Sequence, residues 1–229
     1  MSIFESEKFG IYWHTSVKEN SEIRIQLLHP VMEKFLGDLK GKITFDAGCG
    51  DGFSTKLLSE STTIYAGDIN EYLLKTIQID EVNFMKLDLN KKIPFEHDFF
   101  DVILCSNVLM NLTEETVLNT LKEFRRTLKH TGHIVISIVH PLYNLFANQS
   151  KLGHISQYGL HERVMVNTMK GYDSFEEFRR PLWWYFNMFI QSGFFVSNFE
   201  EIFVEQFKGI TDKHIQRMGF PIFAVFKLE

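Results

Sequence analysis

Thr44-Phe-Asp-Ala-Gly-Cys-Gly-Asp-Gly-Phe53 continues a short apolar run, Lys42 to Phe45, which is followed at once by an acid and three alternate glycines. Apolar residues ahead of a Gly-rich turn read as a buried strand that ends in a tight loop. Glycines at 48, 50 and 52 allow positive φ angles and let a ligand approach bare main chain. The next residues, Phe53 to Leu58, read as a helix start, so the loop aims amide N–H groups at whatever lies above the strand. This predicts a site for a nucleotide-type ligand.

Two such ligands compete. A dinucleotide site asks for Gly-x-Gly-x-x-Gly, whose third glycine lets helix and strand pack beneath a pyrophosphate. Here Phe53 stands in that position, and Asp46 lies two residues before the first glycine. A carboxylate there suits a ligand that presents an ammonium group. The chain downstream keeps the same rhythm. Thr62-Thr-Ile-Tyr-Ala-Gly-Asp68 reads as a second strand whose terminal acid, 20 residues after Gly48, suits a ribose diol. A helical stretch, Glu71 to Ile79, precedes a third strand from Val82 that closes on Asp88-Leu89: a carboxylate for an exocyclic amine beside an apolar face for a ring. Phe100-Asp-Val-Ile-Leu-Cys-Ser-Asn107 is nearly all apolar, as a central parallel strand should be.

Asp-x-Gly-x-Gly-x-Gly, with Gly67-Asp-Ile, Leu87-Asp-Leu, Ile93-Pro-Phe, Phe100-Asp-Val-Ile, Leu121-Lys-Glu-Phe-Arg-Arg-Thr-Leu-Lys and Gly132-His-Ile-Val-Ile-Ser, resembles class I S-adenosylmethionine-dependent methyltransferases of the methyltransferase 11 or 25 type. The resemblance runs over residues 30–140 and is looser in the C-terminal quarter. It implies an α/β, Rossmann-like, seven-stranded and mostly parallel sheet with an antiparallel last strand and helices on both faces. It also implies S-adenosylmethionine as cofactor and S-adenosylhomocysteine as product. Asp68 would hold the ribose, Asp88 and Leu89 the adenine, and Asp46 with the glycines the methionine end; Cys49, Ile69 and Asn107 complete the implied cofactor set. Two departures stand out: Met110 and Asn111 replace the histidines frequent after the fourth strand, and Lys129-His-Thr-Gly132 replaces a Lys-Pro-Gly-Gly turn.

At 229 residues and 45% hydrophobic side chains the chain can bury one core, so one domain is expected. Its expected parts are an N-terminal helical cap (1–40), a cofactor-binding core (41–140), an acceptor-site insertion after strand 5 (141–178) and a C-terminal helix with closing hairpin (179–229). A formal charge of −5 argues against nucleic acid as main partner. The two cysteines, Cys49 and Cys105, lack metal-ligand spacing and fit packing roles in a reducing cytosol, so no metal is expected. No apolar run reaches membrane-spanning length, and the first residues do not read as a signal peptide, so the expected location is cytoplasmic. Monomer and homodimer both stay open.

Thr113 should cap a helix with Glu114 and Glu115 in its first turn, Arg125, Arg126 and Lys129 at its end, and Val117, Leu118, Leu121, Phe124 and Leu128 on one stripe. Pro30 predicts two short helices meeting near His29, lying over the cofactor entrance. Ile134 to Val139 reads as a fifth strand delivering His140 to the ligand-binding edge of the sheet. The segment 141–178 holds Tyr143, His154, Tyr158, His161, Tyr172 and one possible strand, Glu162 to Met169. A helix over 179–193, closed by Gly193, and two final strands, 193–203 and 220–227, should follow.

Methyl transfer needs alignment more than acid–base chemistry; where a hydroxyl, carboxyl or ring N–H acceptor wants a base, His140 is the first candidate and a structural His-Pro corner the alternative. His14, His154 and His161 rank behind it. Tyr12, Trp13, Tyr143 and Trp184 are candidates for the acceptor pocket, with Trp183 and Phe186 partly facing the insertion; plain packing is the competing account. An aromatic wall favours a flat or apolar small molecule, with methyl going to O or N in specialised metabolism. The open alternatives are an RNA or protein methyltransferase, a noncatalytic cofactor-binding regulator, and a nicotinamide enzyme.

Overall fold

The computed structural model describes residues 2–19, 21–143, 162–166, 175–206 and 219–229. Its frame is a seven-stranded sheet in the order β3-β2-β1-β4-β5-β9-β8. The strands are β1 (Ile43–Ala47), β2 (Thr63–Asp68), β3 (Val82–Lys86), β4 (Phe100–Ser106), β5 (Leu128–Val139), β8 (Val196–Phe203) and β9 (Pro221–Leu228). β1 pairs in parallel with β2 and β4, β2 with β3 and β4 with β5, whereas β9 runs antiparallel to both β5 and β8. A separate two-stranded ribbon joins β6 (Glu162–Val166) to β7 (Phe175–Arg179). The expected seven-stranded sheet with one antiparallel strand, β9, is therefore the observed one; β6 is the strand read within the insertion.

The order β2-β1-β4 reverses the winding at β1 and β4, and in such sheets ligands bind beyond the carboxyl ends of the strands at that reversal. The two faces are covered unequally. One core cluster packs β1, β4 and β5 through Phe45, Ile103 and Ile136 against α5 (Glu114–Thr127) and α6 (Leu182–Gln191). The other packs Leu104, Val135 and Val225 against α3 (His29–Leu36) through Leu28, Met32 and Phe35. α5 starts as its sequence dictates: Thr113 Oγ1 accepts from the Thr116 amide at 3.2 Å, and two glutamates occupy the first turn.

Three local expectations are corrected. Residues 53–58 form no α-helix but a single 3-10 turn, Thr55–Leu58, because Thr55 Oγ1 donates to Asp46 Oδ2 at 2.7 Å and ties the turn to the end of β1. The helix after β2 (α4, Glu71–Thr76) stops before Ile77, and Ile77 and Ile79 press on the glycine loop: a Cβ on Gly52 would sit 3.0 Å from each. Pro30 does not break the chain into two helices. α2 (Ser21–Ile23), a π-wide segment (Arg24–Leu28) and α3 run on continuously, with the His29 amide donating to the Arg24 carbonyl. A widened turn is how a helix admits a proline it cannot bond. The departure at 129–132 also has a cause. Between the pairs Phe100–Leu128 and Val102–His133, four β5 residues bulge opposite Asp101, and a Cβ on Gly132 would lie 2.7 Å from the Asp101 carbonyl.

Candidate functional site

The carboxyl ends of β1 to β4 open into one cavity of about 260 Å³, near the lower end of the roughly 300–1,000 Å³ usual for small-molecule sites. Gly48 and Gly50 follow β1, Asp68 and Ile69 follow β2, Leu87, Asp88 and Leu89 follow β3, and Ser106 and Asn107 follow β4; all of them line it. The loop conformation requires its glycines. Gly48 has φ +82°, and a Cβ there would stand 2.4 Å from Val108 Cγ2. The Gly48 and Cys49 amides both donate to the Gly67 carbonyl, at 2.8 and 3.1 Å, which folds the loop back over β2.

Asp68 organises this corner. Its Oδ2 accepts from the Gly50 amide and its Oδ1 from the Asn70 amide, each at 2.8 Å. Burial raises its pKa, and the amides of Asn70, Gly50 and Ile69 oppose that rise. Of the roughly four acceptor sites of the carboxylate, capacity remains for a ligand hydroxyl. Asp88 is more open. Burial pushes its carboxyl up, but the Asn90 amide and side chain and the Lys91 ammonium outweigh this and hold it below the usual range. Asn107 has φ +57° and is buried, and its Oδ1 has no hydrogen-bond partner among the described residues. Asp46 lies beneath the loop rather than on the cavity wall, 1% exposed. Its Oδ2 is taken by Thr55, its Oδ1 has no partner among the described residues, and burial above all raises its pKa to about 7. Cys49 is buried, and desolvation drives its thiol well up.

A further wall comes from the first part of the segment read as the N-terminal cap, not from the helices around Pro30 expected over the entrance. Ser2, Phe4, Phe9 and Trp13 line the cavity, the last two from α1 (Glu7–Glu19), while α3 packs on the sheet face. Asn70 clamps this segment. Its Nδ2 donates to the Phe4 and Ser6 carbonyls at 2.6 and 3.0 Å while its Oδ1 caps α4 through the Tyr72 and Leu73 amides. A second clamp pairs His14 Nδ1 with Asp51 Oδ2 at 2.9 Å. Gly10 lets α1 come this close: a Cβ there would meet Asn70 Oδ1 and Tyr72 Cδ1 at 2.8 Å. Gly10→Ala is therefore expected to lift α1 off α4 and to destabilise the protein by about 1–3 kcal/mol, a fall of roughly 2–10 °C in Tm. Amide exchange in 7–19 should rise more than in β4; equal protection of α1 in both proteins would refute the clamp.

Other loops are pinned from behind. Thr116 and Thr120 of α5 donate to Asn90 Oδ1 and the Leu89 carbonyl. Arg180, 3% exposed, donates to the Leu109 and Leu112 carbonyls at 3.1 and 2.6 Å, its guanidinium over the Phe178 and Trp184 rings. Asn70 carried a visible signal, an N-cap residue before Glu71; Arg180 carried none.

The remaining candidates scatter. His140 is 1% exposed and is not part of the cavity lining: its Nδ1 accepts from the Leu142 amide at 3.2 Å and its Nε2 lies 2.9 Å from Glu201 Oε1. Burial lowers its pKa to about 4, and a neutral ring so engaged offers no lone pair to a substrate. The geometry is that of a His-Pro corner. Trp184 is 2% exposed in the core beneath Arg180, and its Nε1 lies 3.4 Å from Glu114 Oε2. Tyr12 packs beside Phe9 and Phe175, and Tyr143 against the core cluster that holds α3; of the proposed acceptor residues, Trp13 alone lines the cavity. His154, Tyr158, His161 and Tyr172 lie outside the described residues. Among the described residues no group of His, Cys, Asp or Glu could hold a metal, and no helix is long and apolar enough to cross a membrane.

Comparison with known proteins agrees with this geometry. Residues 45–136 match the family model Methyltransf_11, a methyltransferase domain. An uncharacterized protein of Methanocaldococcus jannaschii is 31% identical over 137 residues, which are 60% of this chain and 58% of that protein. Among solved structures, an S-adenosylmethionine-dependent methyltransferase from Mesorhizobium loti superposes with a TM-score of 0.66 at 19% identity, over 87% of this chain and 95% of that one. The putative methyltransferase of Haloferax volcanii, solved in complex with the Trm112 methyltransferase activator, gives 0.68 at 15% identity, over 93% and 94%. Residues 45–136 thus match a methyltransferase domain, and the chain has the fold of the S-adenosylmethionine-dependent methyltransferases.

Proposed function

We propose that this protein is an S-adenosylmethionine-dependent methyltransferase that methylates an O or N atom of a small molecule, in specialised metabolism. The convergence of Asp68, Asp88 and the Gly48–Gly50 loop on one cavity carries the reading. The residues present fit the cofactor. Asp68 retains acceptor capacity for a ribose diol, Asp88 sits between Leu87 and Leu89 as an adenine amine and ring require, and the unpartnered Asn107 Oδ1 suits an ammonium donor. A dinucleotide fits poorly, because the glycine loop leads into a 3-10 turn and not into an α-helix whose N-terminus could receive a pyrophosphate.

When bound, the cofactor supplies an electrophilic methyl on a sulfonium. The chain's own contribution is alignment and dryness. Asp68 fixes the loop and one end of the ligand, Phe4, Phe9 and Trp13 cover it from solvent, and Arg180 holds the 109–112 loop that forms part of the wall. Positioning of this kind can supply about 7–11 kcal/mol in the best cases. No base is assigned. The segment 141–178 is proposed as the acceptor wall and residues 1–40 as the cap.

Calorimetric titration with S-adenosylmethionine, S-adenosylhomocysteine and NADH tests the cofactor. The expected result is binding of both adenosyl ligands in the micromolar range (about −8 kcal/mol) and none of NADH. Binding of NADH alone would overturn the proposal.

A further inference from the structure

Arg24 carries a fixed positive charge for which the structure shows no hydrogen-bond acceptor among the described residues. Its guanidinium carbon lies 5.8 Å from the Trp13 ring centroid and 5.9 Å from that of Phe53. Burial lowers its pKa, and Asp51 nearby opposes that. Yet the Asp51 carboxylate is engaged elsewhere, 2.9 Å from His14 Nδ1. His29 also packs against Phe53, 4.9 Å between ring centroids, and its Nε2 is buried without a partner among the described residues. Burial, then Arg24 and Lys56, push the His29 imidazole down to about 4, so it is neutral and can donate one hydrogen bond. A chain of net charge −5 thus places the Arg24 and Lys56 cations near a buried imidazole nitrogen that has no partner among the described residues.

A guanidinium held against aromatic rings presents a planar fork of N–H donors, which matches a carboxylate or phosphate oxygen pair. The buried His29 Nε2 without an acceptor is unfavourable, and an anion shared with the Arg24 guanidinium would satisfy it. Trp13 connects this cluster to the cavity: its indole lines the cavity, and its Nε1 lies 3.2 Å from where a Cβ on Gly50 would stand. Arg24 itself is not part of the lining and stands next to Trp13 at its edge.

We propose that Arg24, with His29 beside it, anchors a carboxylate or phosphate group of the methyl acceptor, and hence that the acceptor is an anionic small molecule. This rests on the cofactor reading above. The test titrates benzoate, phenyl phosphate and neutral benzamide into protein saturated with S-adenosylhomocysteine. Wild type should bind at least one anion ten times more tightly than benzamide; benzoate or phenyl phosphate leading tells carboxylate from phosphate. Arg24→Met should lose that preference while its affinity for S-adenosylhomocysteine stays within twofold, and Arg24→Lys, which keeps charge without the fork, should recover part of it. Anions binding no better than benzamide to wild type, or equally to wild type and Arg24→Met, would overturn the proposal. So would Arg24→Met weakening S-adenosylhomocysteine but not 5′-methylthioadenosine, because Arg24 would then hold the donor's own carboxylate. The wild-type comparison decides even if Arg24→Met fails to fold. Absence of S-adenosylhomocysteine binding to wild type would instead refute the cofactor reading, and this inference with it.

Discussion

Asp46→Asn is expected to stabilise the ligand-free protein at pH 8 and to change it little at pH 4. Asp46 is 1% exposed, and its pKa is raised to about 7, first by burial and further by the nearby Asp68 charge, with the Thr55 hydroxyl opposing. The folded state therefore keeps a proton that the unfolded chain releases near pH 4, so stability falls as pH rises from about 4 to about 7. A shift of this size corresponds to a penalty on the order of 2–4 kcal/mol above pH 7. Asparagine is neutral at every pH and nearly the same shape, and its Oδ1 can still accept from Thr55. Thermal melts of both proteins from pH 4 to 8 would show the wild-type Tm falling away from that of the variant; parallel curves would mean that Asp46 is solvated or paired. Should the ligand ammonium lie at this end of the cavity, as proposed, saturating S-adenosylhomocysteine would narrow the gap at pH 8, because a nearby cation favours the carboxylate. The aspartate would then be retained for the ligand and against stability, a common pattern at binding sites.

The parts of the site that were legible in the sequence are those set by local rules. Gly48, Asp68 and Asp88 each follow an apolar run directly, and a strand that ends in such a residue delivers it to the same sheet edge as its neighbours. Thr113 likewise announced α5 by a cap that depends on three residues of chain. What stayed hidden depends on contacts distant in sequence. Asn70 grips carbonyls 64 and 66 positions away, so nothing around Phe4 or Ser6 marks them as cavity wall. His140 was placed correctly at the end of β5, but where its ring points is decided by β8 and β9, whose pairing brings Glu201 beside it. Trp184 was read as an acceptor contact because an aromatic pair on a helix shows no inside or outside; packing against Arg180 buries it and leaves Trp183 52% exposed. The failed helix at 53–58 has the same origin, a threonine whose hydroxyl bonds a buried strand residue.

Asp68→Asn should lower affinity for S-adenosylhomocysteine by at least a hundredfold, about 3 kcal/mol, although it adds no bulk. Both Asp68 oxygens already accept backbone amides, Gly50 on one side and Asn70 on the other, each at 2.8 Å. An asparagine has one oxygen, so either rotamer turns an NH2 group toward one of those N–H donors. Facing the Gly50 amide, it would push the glycine loop off its seat; facing the Asn70 amide, it would disturb the residue that clamps Phe4 and Ser6 over the cavity. Either way a hydrogen bond to a charged group is lost, about 1.5–3 kcal/mol, and a buried donor is left without an acceptor. Asp68→Ala removes both acceptors but leaves a space in which water can accept from the Gly50 and Asn70 amides, with no NH2 group forced against either, so it should be the milder change, about 1–3 kcal/mol. The ordering of the two variants separates this account from simple loss of a ligand contact, which predicts that alanine is at least as damaging as asparagine. Calorimetry on both, with amide exchange at 48–52 and 2–13, checks it: if Asp68→Asn bound S-adenosylhomocysteine as wild type does, the carboxylate would belong to the fold of the loop alone and the ribose assignment would fall.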